Sequence, residues 1–154
     1  MKEYLEEFKD ELKRVDHLIY VSLKYTRTVD VLKNVIHRLV HSFEILINGV
    51  VKEGYDSGKV FEIPPVTIHK CNEVKLLYPD NNTIQEFIDF YLLLRKIGKA
   101  EEYESINEFR RHVAFIVDIE GERIEVCIDL VTEYYKKAII LMEELIKVIG
   151  KEDD

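Results

Sequence analysis

Apolar positions recur at three-four spacing along the first 25 residues, where Leu5, Phe8, Leu12, Val15 and Ile19 form one stripe. That period predicts an amphipathic helix. Asp10 and Arg14, four apart with the acid first, suit its solvent face. From residue 18 the pattern changes. Leu18, Ile19, Tyr20, Val21, Leu23 and Tyr25 surround the helix axis. A helix apolar on all sides is enclosed, either by other helices or by a second subunit. A strand over 18–25 is the competing reading.

Thr26-Arg27-Thr28 interrupts the chain. Thr28 can accept as an N-cap, and Asp30 in the first turn suits the helix dipole. The spacing predicts a second helix over 29–53. Leu32, Ile36, Leu39, Phe43, Leu46 and Val50 form its stripe, widened by Val35, Val40, Ile45 and Val51 as for a central helix. Gly54 is its expected C-cap. Residues 54–65 form the main loop, with Pro64-Pro65 able to open a short helix. Over 66–78, Thr67, Cys71, Val74 and Tyr78 share a helical face, with a strand as the alternative.

Thr83-Ile84-Gln85-Glu86 matches a capping box. It predicts a helix to Ile97 with Ile84, Phe87, Ile88, Tyr91 and Leu94 inward and Gly98 as its stop. Residues 99–109 are acidic and read as irregular. The period then falls to two. Val113, Phe115, Val117 and Ile119 alternate up to Glu120-Gly121, and Ile124, Val126 and Ile128 alternate after it. Two such runs about a Gly turn predict a β-hairpin at about 112–128. Asp129 is the expected cap of a last helix, 130–149, followed by Gly150 and an acidic tail. The fold class is therefore mainly α: an antiparallel bundle of four main helices in one domain, 1–154, with a β-hairpin before the last helix. A two-layer α+β arrangement is the alternative.

Composition narrows the partners. Asp and Glu number 30 against 22 Lys and Arg among 154 residues, for a net charge of -8. Such a chain repels nucleic-acid phosphates, so nucleic acid is not an expected partner. No apolar run of helix-spanning length occurs, and the start is acidic and amphipathic. A membrane span and a secretory signal are therefore not expected, and a cytoplasmic location is. The two cysteines, Cys71 and Cys127, stand in no CxxC or CxxH pair and read as free thiols. Abundant Lys and Glu with few amides give a thermophile-like composition.

Candidate chemistry is sparse. His37 and His41, four apart on one helix face, have the spacing with which two imidazoles share a metal. Asp30, Asn34, Glu44 and Asn48 lie within about a turn, and His17 can approach from the first helix. Arg38, not Glu, occupies the second position of the His-x-x-x-His run, and a cation disfavours a metal. The structural alternative is a polar strip on a central helix. Arg110 and Arg111, beside His112, can grip a phosphate or carboxylate. They can equally pair with Glu101, Glu102, Glu104 and Glu108. The nine tyrosines, Tyr20, Tyr25, Tyr134 and Tyr135 among them, suit core edges or an interface. Glu3, Glu6, Glu7 and Asp10 read as a solvated face. No phosphate-binding Gly loop, nucleophile elbow or calcium loop is present.

In plan, a small acidic helical domain with an Arg/His cluster before its final helix resembles HEPN domains. That resemblance implies association with nucleotidyltransferases, or RNA cleavage by an Arg and a His four to six residues apart. The Arg14–His17, Arg38–His41 and Arg111–His112 spacings are shorter, and the hairpin departs from an all-helical plan. The sequence thus leans away from an enzyme. It favours a homodimeric helical interaction or scaffold protein with no cofactor, leaving an unidentified protein partner open. The alternatives are a metal-dependent hydrolase using His37 and His41, and a HEPN-like nucleotide- or RNA-associated module using Arg110 and Arg111.

Overall fold

In a computed structural model, which describes residues 1–150, the first stripe forms α1 (Glu3–His17). It runs without a break into a π-helical turn (Leu18–Ser22) and a final turn, α2 (Leu23–Tyr25). The enclosure expected over 18–25 is one-sided. Ile19 and Leu23 are buried, whereas Tyr20 is 49% exposed, Val21 40% and Tyr25 79%. Helices cover this rod on one flank only, and no strand forms there.

The central helix α3 spans Val29–Asp56. Its N-cap is Thr28, whose hydroxyl accepts from the Val31 N–H. Gly54 does not stop it. The helix continues through Gly54, whose carbonyl accepts from the N–H groups of Lys59 and Val60 as the chain folds back. The segment left open at 66–78 is a helix, α4 (Thr67–Leu77), and the two prolines stay outside it.

Helix α5 spans Asn82–Lys99. Its cap is Asn81, whose side chain accepts from the Ile84 N–H at 3.0 Å, so the expected Thr83 box does not form. The Gln85 amide instead donates to the Lys75 and Tyr78 carbonyls at the end of α4. Gly98 lies inside α5, at a close approach to His37: a Cβ there would sit 3.3 Å from the imidazole Cδ2.

Three strands follow: β1 (Glu104–Ile106), β2 (Ala114–Ile119) and β3 (Glu122–Cys127), antiparallel in the order β1-β2-β3. The hairpin turns at Glu120-Gly121, both at positive φ, as a two-residue type I′ turn requires. The Asp118 carboxylate accepts from the Gly121 N–H. β1 is a strand in a segment expected to be irregular. The last helix, α6 (Ile128–Gly150), starts early enough to put Asp129 in its first turn rather than before it. The acidic tail lies outside the described residues.

Side-chain contacts give the helix directions. Tyr4 reaches Glu53, and Glu11 reaches Arg38, so α1 and α3 are antiparallel. His37 with Gly98, and Glu44 with Tyr91, set α5 antiparallel to α3. Glu86 with Lys137, and Phe90 with Tyr134, do the same for α6. The fold is a mainly helical antiparallel bundle with a small sheet before the last helix. Phe8, Phe43, Phe87 and Phe90 form an edge-on and tilted aromatic chain through its centre. Val113, Phe115, Val117 and Val126 present one face of the sheet to that core. No helix among the described residues is long and apolar enough to cross a membrane.

Candidate functional site

The His37–His41 pair faces solvent on α3, but its two rings engage different partners. His37 Nε2 lies 3.1 Å from the Gly98 carbonyl. A carbonyl only accepts, so this nitrogen carries the proton and donates, and only Nδ1 retains a free lone pair. His41 Nε2 lies 4.0 Å from the Glu11 carboxylate. Helix α1 does pack against α3 as a hairpin, and the residue it brings to His41 is Glu11. Glu44 is taken by the Tyr91 hydroxyl and Asn48 by Lys70. Among the described residues, no three His, Cys, Asp or Glu side chains converge closely enough to hold an ion.

Glu11 was not singled out by sequence. Among the described residues it is one of two polar side chains in the buried class, with Ser42. Arg14 lies 3.4 Å from one carboxylate oxygen and Arg38 3.6 Å from the other, ion-pair distances without a hydrogen bond to Oε2. The signal was present: Glu11 stands three residues after Phe8 and four before Val15, inside an apolar stripe. Arg38, read as hostile to a metal, is there to neutralise this acid.

The basic cluster ahead of the sheet divides. Arg110 is exposed, its N–H closing a turn to the Asn107 carbonyl. Arg111 and His112 instead line a cleft of about 420 Å³ with Arg27, Glu125, Cys127, Ile128 and Asp129. Among the described residues, no ion pair joins Arg110 or Arg111 to the acids upstream. Glu108 turns away from them and accepts from the Val29 N–H. Arg27 is the residue sequence reasoning missed. It sits 84 positions before Arg111, and only the fold places both on one cleft. Its Nε is buried without an acceptor. Of the two free thiols, Cys71 is buried and Cys127 is partly exposed at this cleft.

The loop carrying Arg111 is held in an uncommon shape. Asn107 and Phe109 both have left-handed backbone, φ 53 and φ 66. The Phe109 N–H donates to the Arg27 carbonyl at 2.7 Å, and the Asn107 side-chain amide donates to the His112 carbonyl.

The tyrosines also divide. Tyr91 is fully buried and donates to Glu44 at 2.8 Å, and burial followed by that carboxylate drives its ionisation far above the usual range. Tyr134 packs on Phe90, and burial raises it too. Tyr20 meets Tyr135 edge-on at 6.4 Å. Tyr20, Val21 and Tyr25 leave an apolar surface along the π-turn.

Compared with protein-family models, curated proteins and solved structures, the chain gave no match in any of the three.

Proposed function

We propose that this chain is a non-enzymatic interaction module that pairs with a second copy of itself through the π-turn. The observation that carries the reading is the one-sided burial of 18–25. Ile19 and Leu23 face the core, while Tyr20, Val21 and Tyr25 stand out of it together. π-turns inside helices are concentrated at functional positions, because the extra residue costs stability. Tyr adds buried area while its hydroxyl keeps a polar contact, the balance an interface needs. Lys24 and Asp16 border the same turn, so the patch carries both signs and can complement itself across a two-fold axis.

Sedimentation equilibrium tests this. The wild type at about 50 µM should run as a dimer of the 18.3 kDa chain. Val21→Glu with Tyr25→Glu should run as a monomer and keep the wild-type helical signal, since both side chains are exposed. A wild type that stays monomeric at that concentration overturns the proposal.

A further inference from the structure

We infer that the cleft between the 26–29 corner, the 107–112 loop and the start of α6 binds a small phosphate monoester on a hydroxylated carrier. Arg27 and Arg111 line it from opposite halves of the chain, and His112 joins them. In a protein of net charge -8, this cleft is close to neutral, its two guanidiniums set against the carboxylates of Glu125 and Asp129. A monoester carries roughly -1.5 to -2 at neutral pH, matching two arginines. Guanidinium forks suit its oxygens.

The same cleft carries Glu125 and Asp129. These carboxylates repel a polyanion and accept from hydroxyls. They therefore select a ligand whose charge is confined to one end and whose body donates hydrogen bonds. The volume, about 420 Å³, lies in the usual range for small-molecule sites, roughly 300 to 1,000 Å³. A sugar phosphate and a nucleoside monophosphate share this chemistry. The first turn of the 23-residue α6 adds a weak positive field at the cleft.

The loop is built in advance of any ligand. Two non-glycine residues at positive φ persist only where surrounding contacts enforce them. Here the Phe109 N–H to Arg27 carbonyl bond and the Glu108 bond to Val29 do so, tying the Arg111 loop to the Arg27 corner. That linkage fixes the backbone positions from which the two arginines project, which lowers the ordering cost of the loop.

The test is calorimetric titration of the full chain with ribose 5-phosphate, AMP, inorganic phosphate and ribose, at low salt. Ribose 5-phosphate or AMP should bind one to one, at least about tenfold more tightly than inorganic phosphate, with ribose silent. The tighter of the two identifies the carrier, and either order supports the assignment. Arg111→Ala, an exposed position, should weaken binding by about tenfold or more, while Arg110→Ala leaves it unchanged. Three results overturn the inference: no binding of either monoester up to about 10 mM, inorganic phosphate binding equally well, or Arg111→Ala retaining wild-type affinity. Should an Arg27 variant fold poorly, the Arg111 and Arg110 pair decides alone.

Discussion

The Glu108 carboxylate accepts a hydrogen bond at 3.1 Å from the backbone N–H of Val29, so the first turn of α3 is capped by a residue 79 positions away. Thr28 serves the Val31 N–H of the same turn. The helix start therefore depends on the loop ahead of the sheet, and the loop on the helix. Glu108→Ala should cost about 1 kcal/mol. In a chain this size that lowers Tm by roughly 2–4 °C. Glu108→Gln, which keeps an acceptor, should lose less. Thermal melts followed by circular dichroism check both, and an unchanged Tm for the alanine variant contradicts the cap.

Gly49 lets α1 press onto α3. A Cβ there would lie 2.3 Å from Cγ of Tyr4. Inside a helix Gly→Ala ordinarily stabilises, by up to about 1 kcal/mol. At this position the sign should reverse, with Gly49→Ala destabilising by about 1–3 kcal/mol through overpacking. Urea unfolding measures it. Adding Tyr4→Ala should recover part of the loss, a non-additivity expected of residues in contact.

Phe109 holds a left-handed backbone with its ring 78% exposed. Glycine adopts that backbone without steric penalty, and little burial is lost. Phe109→Gly should therefore raise stability by up to about 1 kcal/mol, the left-handed strain outweighing the added freedom of the unfolded chain. A lower urea midpoint would show that the exposed ring contributes contacts of its own.

Burial, then its hydrogen bond to Asp16, pushes Tyr135 up to about 12 from an ordinary value of 10.0. The raised value favours the protonated folded state. Its contribution is complete below pH 10 and is lost as pH rises from 10 to 12, where the unfolded chain ionises first. Tyr135→Phe should flatten that part of the alkaline stability loss. Tyrosinate absorbance should show one fewer late-ionising group. A late group undiminished in the variant would refute the assignment.

Burial also pushes the Cys71 thiol up to about 11, while Cys127 is partly exposed. Only the thiolate is nucleophilic. Native protein at pH near 8 should take up one equivalent of iodoacetamide, at Cys127, and two after unfolding in urea. Peptide mapping locates the label, and two equivalents under native conditions would contradict the burial of Cys71.

The helices were legible because each of the long ones carries its own period. Leu5 to Ile19 and Leu32 to Val50 mark their buried faces whatever packs against them, and Gly121 between two period-two runs marks a turn through its backbone freedom. Boundaries were less legible. Gly54 and Gly98 resemble stops, but each is a close approach to a side chain outside its own helix, Val60 and Leu77 at Gly54 and His37 at Gly98. β1 escaped notice because three residues of an edge strand carry too little pattern. Its pairing with β2 is a non-local bond.

The sequence by itself determined the helical stripes, the hairpin and the excess of acid, since these follow from spacing and composition along the chain. Tertiary structure alone decided which polar residues meet. Glu11 joins Arg38 and His41, Glu108 caps Val29, and Arg27 lines the cleft with Arg111. No local rule relates such residues. Their meeting depends on the crossing of helices and the path of a loop, set by the burial of the whole core rather than by any one segment.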